Sequence, residues 1–224
     1  MKKSIVLVAV GPMFQFYQQY TKRRFEAYAD KIGAELIVLT GITQKWWGLE
    51  KYRVSKLELT GPTVYIDVDV LIQSWARDIF ELYQPGKVGI YDDYPEAREA
   101  QPGNDWAPRE WSEMMQYQHI DDPFRERLLN SGVVLFDKET QHIWNPPPFR
   151  FKPRHCAEQF WIDYQVGDNW FPLPREFNHQ HWTKSFATSF HKSDFVHLSA
   201  CKNREYWIAK YEHLLDRSQP YDNN

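Results

Sequence analysis

The sequence predicts an α/β fold: a Rossmann-like, mixed but mainly parallel sheet flanked by helices, in a single domain. Three observations carry this reading. Apolar, strand-like runs alternate with helix-like segments through the first third of the chain, in the order β-α-β-α-β. The run Thr63-Val64-Tyr65-Ile66-Asp67-Val68-Asp69-Val70-Leu71-Ile72 sets two carboxylates inside an otherwise apolar, β-forming segment. A length of 224 residues fits one sizeable domain. We assign residues 1–217 to that domain and expect 218–224 to form a flexible tail.

Taken in order, Ser4 to Val10 is a continuous apolar run and reads as the first strand. Met1-Lys2-Lys3 before it imitates a signal peptide, but the apolar stretch is too short and no small-residue cleavage site follows. Phe14, Tyr17, Phe25, Tyr28 and Ile32 recur at helical spacing, and Gly33 stands where a C-cap glycine belongs. Ala34 to Thr40 is the second strand. A helix is expected from Gly48 to Leu59, stopped by Gly61-Pro62, and the third strand carries Asp67. Further strands are expected at Lys87–Tyr91, Gly132–Asp137 and Ser193–Leu198. Residues 95–127 are polar and Trp-punctuated, and are expected to form helices or an insertion over the site. Asn145 to Pro153 is too proline-rich for regular structure. A helical tail is expected to run to about Leu215.

Composition narrows the function. A net charge of −3 without a basic tract carries no electrostatic footprint for nucleic acid. Cys156 and Cys201 are the two cysteines, so no disulfide framework is implied and a reducing, cytoplasmic setting is expected. No stretch approaches membrane-spanning length. Aromatic residues make up 17% of the chain, with 10 Trp and 13 Tyr; such an excess suits either sugar-stacking platforms or core packing.

The chemistry centres on Asp67 and Asp69. A buried, unpaired carboxylate costs several kcal/mol, so this pair calls for a partner. Hard divalent cations favour carboxylate oxygens, and a Mn²⁺ or Mg²⁺ ion carrying a phosphorylated ligand would supply one. Ligands of open α/β sheets bind beyond the carboxyl ends of the strands. Here those ends are Ala9-Val10-Gly11, Thr40-Gly41 and Asp67-Val68-Asp69. There is no Walker A loop and no Gly-x-Gly-x-x-Gly after the first strand, which favours a metal clamp for a diphosphate. His197 is a candidate third metal ligand. Lys56, Lys202 and Arg204 are candidate phosphate partners. The pair His179 and His181 lacks cysteines at zinc-finger spacing, so no structural zinc is expected.

Together these segments resemble metal-dependent glycosyltransferases of the GT-A fold, and most closely the family-8 group of glycogenin and the lipopolysaccharide galactosyltransferases. Val64 to Leu71 is similar to that family's apolar Asp-x-Asp core, and Lys56-Leu57 to its Arg/Lys-Leu pair. Leu129-Asn130-Ser131-Gly132 resembles its donor-sugar strand, Glu158-Gln159 its Asp-Gln pair, and Leu173-Pro174 through Phe177-Asn178 its Leu-Pro…Asn stretch. Val196-His197 with Lys202 resembles its metal-binding His and diphosphate-contacting Lys. The chain departs from the pattern in Glu158 for Asp, Ala200 for Gly, a Lys202 one residue early, and a short segment between Lys56 and Asp67.

The resemblance implies transfer of a sugar from a nucleoside-diphosphate donor, UDP being expected, to a carbohydrate or glycoconjugate acceptor with retention of configuration. It implies Asp67, Asp69 and His197 at the metal. Val8, Ala9, Val10, Lys56, Asp67, Val68, Ser131, Lys202 and Arg204 would contact the nucleotide. Asn130, Glu158 and Gln159 would serve the sugar. Asp92 and Asp93, ending another strand, are expected to meet the acceptor. Two alternatives stay open at this point. A haloacid-dehalogenase-type phosphatase shares the Asp-x-Asp pair, but after its first strand rather than its third. A non-catalytic carbohydrate-binding protein would suit the aromatic content and would need neither Asp67 nor Asp69.

Overall fold

The computed structural model describes residues 2–44, 47–148, 156–211 and 215. The first strand, β1 (Lys3–Val8), leads into α1 (Pro12–Phe16), a π-helical turn at Tyr17–Thr21 and α2 (Lys22–Ile32). Gly33, at φ 65°, ends α2 in the left-handed conformation that glycine adopts without steric cost. Tyr17, Phe25 and Tyr28 are buried as their spacing predicts, whereas Phe14 is 38% exposed. The π turn adds residues to one helical repeat and rotates Phe14 off the apolar face.

After β2 (Ala34–Leu39), residues Trp47–Lys56 form a 3-10 helix rather than the longer helix expected to Leu59. Its end is set from afar: Gln141 Nε2 donates to the carbonyls of Val54 and Leu57 at 2.8 and 2.9 Å, removing them from any continued helical ladder. The long apolar run then divides. β3 (Thr63–Ile66) and β4 (Val70–Ile72) belong to different sheets, and Asp67-Val68-Asp69 is the turn between them. Val70 N donates to Asp67 O at 3.1 Å across this turn.

The remaining elements are β5 (Val88–Asp92), α3 (Tyr94–Ala100), α4 (Trp106–Tyr117), β6 (Leu129–Phe136), α5 (Ala157–Val166), β7 (Trp170–Pro172), β8 (His179–Gln180), α6 (Phe186–Ser189), β9 (Phe195–His197) and α7 (Arg204–Tyr211). The segment 95–127 is thus largely helical. Of the proline-rich stretch, 145–148 is irregular; its remainder and the tail 218–224 lie outside the described residues.

The main sheet has the order β2-β1-β3-β6-β5-β7. β1 is parallel to β2 and β3, and β5 to β7; β6 runs antiparallel to both β3 and β5. Both faces are covered, which explains why the strands read as unbroken apolar runs. Val6, Val8, Tyr65 and Val134 point to one face, against Trp111, Trp144 and Phe160. Ile5, Leu7, Val64 and Val133 point to the other, against Phe25 and Tyr28. Each such side chain contributes about 1.5–3 kcal/mol by leaving water. Much of the aromatic content is therefore core.

A second, three-stranded sheet has the order β4-β9-β8. Antiparallel pairing sets Val70 against His197, and parallel pairing sets Gln180 against His197. The chain thus leaves the main sheet at Asp67 and enters the small one at Val70, with the histidine of β9 beside it. Among the described residues, no helix is long and apolar enough to cross a membrane.

Candidate active site

The turn Asp67-Val68-Asp69 opens onto a cavity of about 1050 Å³ at the carboxyl end of β1 and β3. Two backbone contacts fix the turn. Asp67 N donates to Gly132 O at 2.7 Å, and Leu198 N donates to Asp69 O at 3.0 Å. Thr21, in the π turn, donates its hydroxyl to Val68 O at 3.0 Å and is fully buried.

Asp67, Asp69 and His197 converge, each offering a ligand atom within 4.8 Å of the others'. His197 Nε2 lies 3.4 Å from Asp69 Oδ1 and 3.9 Å from Asp67 Oδ2. Its other nitrogen, Nδ1, is 2.8 Å from Asn178 Oδ1. Two hard carboxylates and one imidazole, with the second ring nitrogen held by an amide, fit a Mn²⁺- or Mg²⁺-sized ion.

Two cations attend the carboxylates. Lys51 Nζ is 3.0 Å from Asp67 Oδ2, 3.2 Å from Ser131 Oγ and 3.8 Å from Glu158 Oε1. Tyr65 donates its hydroxyl to Asp67 Oδ1 at 2.6 Å. Arg204, at the start of α7, reaches Asp69 Oδ2 with Nε at 2.9 Å and Nη2 at 2.8 Å. Burial would raise the Asp69 carboxyl, but His197 and Arg204 outweigh it and hold the pKa below the usual carboxylate range. Burial would likewise lower the Lys51 ammonium; Asp67, Glu158 and Asp69 reverse this and raise it.

The opposite wall is a network of amides around Asp93. Asn130, on β6, donates from Nδ2 to Asp93 Oδ2 at 3.1 Å and to Gln159 Oε1 at 3.4 Å. Gln180 donates to the same Asp93 oxygen at 2.7 Å, and accepts from Trp182 Nε1 at 2.9 Å. Among the described residues, Asp93 Oδ1 and Gln159 Nε2 are buried without a hydrogen-bond partner. Burial first, with the nearby carboxylates of Asp92 and Glu96, pushes the Asp93 pKa up to about 8 against the hydrogen bonds of Asn130 and Gln180. Asp93 therefore carries a proton at neutral pH. The cavity continues along α3 and α4 past Ala97, Gln101, Trp106 and Glu110, with Trp182 beside it.

Most residues predicted from the sequence meet here. Val8 and Val10, the whole Asp67–Asp69 turn, Asn130, Ser131, Glu158, Gln159, His197 and Arg204 all line the cavity. Three do not. Ala9 is fully buried in the core, while Lys56 and Lys202 are exposed and lie outside the cavity wall. In a 3-10 helix, side chains three apart share a face. Gly48 and Lys51 thus face the cavity, and Arg53 and Lys56 fall on another side. Of the acidic pair after β5, Asp93 lines the cavity, but Asp92 does not; Asp92 Oδ1 instead accepts from Tyr94 N and Leu128 N, at 3.0 and 2.8 Å. Sequence reasoning missed Lys51, Gln180 and Trp182. The one available signal for Lys51 was the short interval between Lys56 and Asp67.

No protein-family model matches the chain, and no curated protein matches it by sequence. Solved structures do. A glycosyltransferase involved in glycosylation of the major capsid of PBCV-1 superposes with a TM-score of 0.60 at 14% identity, covering 92% of this chain and 100% of that one. The galactosyltransferase LgtC, solved with donor and acceptor sugar analogues, gives a TM-score of 0.56 at 14% identity over 97% of this chain and 98% of its own. The glycosyltransferase GlyE of Streptococcus pneumoniae TIGR4 gives 0.51 at 12% identity, over 99% of this chain and 66% of its own. The chain therefore has the GT-A fold of these glycosyltransferases, the fold that its Asp-x-Asp, Asn-Ser-Gly and late His motifs predict.

Proposed function

We propose that the protein is a metal-dependent glycosyltransferase that moves a sugar from a nucleoside-diphosphate donor to an acceptor hydroxyl with retention of configuration. UDP is the expected nucleotide and Mn²⁺ or Mg²⁺ the expected ion. The observation that carries this reading is the convergence of Asp67, Asp69 and His197 at one end of a cavity whose other wall is built of amides around the buried Asp93. A cluster suited to a divalent ion at one end and neutral hydrogen-bonding groups at the other suits a diphosphate joined to a sugar.

Asp67, Asp69 and His197 would hold the ion, which would supply charge neutralisation to the departing diphosphate. Lys51 and Arg204, rather than Lys56 and Lys202, are the cations near enough to add to that stabilisation. Val8, Val10, Val68 and Ser131 form the nucleotide side of the cavity. Asn130 and Gln159 orient the donor sugar through Oε1, Nε2 and their shared network. Glu158, beside Lys51, holds a sugar hydroxyl or stabilises positive charge at the reacting carbon. Asp93 offers its free oxygen, as O–H, to a sugar hydroxyl. The acceptor is a carbohydrate or glycoconjugate meeting Trp182 and Trp106, whose aromatic faces suit the apolar face of a sugar ring. A cytoplasmic setting accords with the two free thiols, Cys156 and Cys201.

The test is nucleoside diphosphate release from a panel of nucleotide sugars, with and without Mn²⁺. Metal-dependent release that Asp69→Asn abolishes in a folded protein is the expected result. Full activity in EDTA, or in Asp69→Asn, would overturn the reading.

A further inference from the structure

The hydrogen bonds behind His197 have a polarity that can be read without ambiguity. They begin at a group whose role is fixed, the Gly132 N–H, which donates to Asn130 Oδ1 at 2.9 Å. That contact identifies the Asn130 oxygen, so its second partner at 3.0 Å, the Asn178 side chain, must present Nδ2 as donor. The Asn178 oxygen then faces His197 Nδ1 at 2.8 Å, and an amide oxygen can only accept. His197 must therefore carry its proton on Nδ1. In the neutral ring, the form that can bind a metal, the Nε2 lone pair then points at Asp69 and Asp67.

This outcome opposes the local electrostatics. Asp69 Oδ1 and Asp67 Oδ2 lie 3.4 and 3.9 Å from Nε2, and both favour a proton there. A protonated Nε2 cannot ligate a metal. Asn178 is fully buried, so water does not compete for its oxygen.

We infer that Asn178 is a positioning residue: its amide imposes the Nδ1–H tautomer on His197 and thereby makes Nε2 a ligand. The inference rests on the metal-dependent reading for its purpose, but the tautomer is a property of the metal-free protein. Gly132 joins both halves of the site. Its carbonyl accepts from Asp67 N at 2.7 Å, while its N–H sets the polarity that reaches His197. The same Asn130 donates onward to Asp93 and Gln159, so one chain of oriented amides links the acidic trio to the sugar-facing wall.

The experiment is ¹⁵N NMR of the imidazole nitrogens in metal-free protein, well above the ordinary histidine pKa of about 6.5. The His197 signals are identified by their loss in His197→Ala. Mn²⁺ affinity is measured in parallel by calorimetry. The wild type is expected in the Nδ1–H form. Asn178→Ala is expected to move the proton to Nε2 and weaken Mn²⁺ binding about 10–100-fold. Asn178→Asp keeps an acceptor at Nδ1 but no donor toward Asn130, and is expected to retain the Nδ1–H tautomer. A wild type in the Nε2–H form would overturn the inference, even if Asn178→Ala fails to fold. So would a folded Asn178→Ala with unchanged tautomer and unchanged Mn²⁺ affinity. A wild type that binds no Mn²⁺ yet shows the Nδ1–H form would defeat the metal-dependent function and leave the role of Asn178 in setting the tautomer standing.

Discussion

Gly132 and His197 are so closely apposed that no side chain fits between them. A Cβ on Gly132 would overlap the imidazole carbon Cε1 and come within 2.8 Å of Nδ1. The requirement is space, since His197 is only 3% exposed and has nowhere to withdraw. Gly132→Ala is therefore expected to displace the ring from Asp67 and Asp69. Overpacking of this kind costs about 1–3 kcal/mol. Urea unfolding and Mn²⁺ titration should show both a stability loss and weakened metal binding. A fully stable Gly132→Ala protein with native metal affinity would contradict the packing.

Lys51 and Lys56 offer a direct contrast between position in the chain and position in space. Lys51 bridges Asp67, Ser131 and Glu158, and its side chain is 12% exposed. Lys56 lies outside the cavity wall. Lys51→Met is expected to lower kcat/KM for the nucleotide-sugar donor by about 10²–10³-fold, the usual loss for one group placed against developing charge. Lys56→Met should leave it within about twofold, consistent with a change on an exposed surface. Steady-state kinetics on the two variants decide this.

These two cases mark where the sequence was legible. Asp67, Asp69 and His197 were readable because each is a polar group set in an apolar run near the carboxyl end of a strand, where the α/β topology collects ligands. Asn130 and Glu158-Gln159 were readable through the family resemblance alone, since Asn130 opens a strand and Glu158-Gln159 open a helix. Lys51 was not, because the Lys-Leu resemblance and the closeness to the acidic strand both put Lys56 forward, whereas the 3-10 geometry of 47–56 that turns Lys51 to the cavity is not written in the local pattern. Strand β3 ends at Asp67 for a similar reason. The first half of the apolar run pairs with β6, where Asp67 N meets Gly132 O, and its second half, β4, pairs with β9, so one run is split between two sheets. The network around Asp93 joins residues from β5, β6, α5 and β8, a grouping that exists only once the fold is formed.

Asp93 gives a pH signature of stability. Its folded pKa of about 8 stands well above the ordinary value of about 3.9. Between those values the folded state holds a proton that the unfolded state has released, so stability falls as pH rises through this window. The slope is at most about 1.4 kcal/mol per pH unit, and it ends above pH 8. Asp93→Asn keeps an oxygen for Asn130 and Gln180 and places an uncharged NH₂ where the protonated oxygen stands. Unfolding curves of the two proteins should nearly coincide around pH 4 and diverge toward pH 8, with Asp93→Asn the more stable. Asp163, whose burial raises its pKa to about 6 despite Arg127, is common to both and cancels from the comparison. Parallel curves across the range would show that Asp93 is ionised in the folded protein.

Ala200 tests the loop that closes the site from the β9 side. The sequence has alanine where the resembled family has glycine, and here its φ is 56°. A left-handed conformation costs an L-residue with a Cβ roughly 1–2 kcal/mol. The loop nonetheless holds it there: Leu198 N is bonded to Asp69 O, Cys201 N donates to Leu198 O at 3.1 Å, and Ser199 donates its hydroxyl to Gln180 Oε1. Ala200→Gly removes the steric term and adds about 0.5–1 kcal/mol of chain entropy to be lost on folding. The difference favours glycine by up to about 1.5 kcal/mol, or a rise in Tm of up to about 3–6 °C for a domain of this size. Because Ala200 lines the cavity with no polar side-chain group, donor KM should change little. A lower Tm in Ala200→Gly would mean that the methyl group makes packing contacts worth more than the strain it causes.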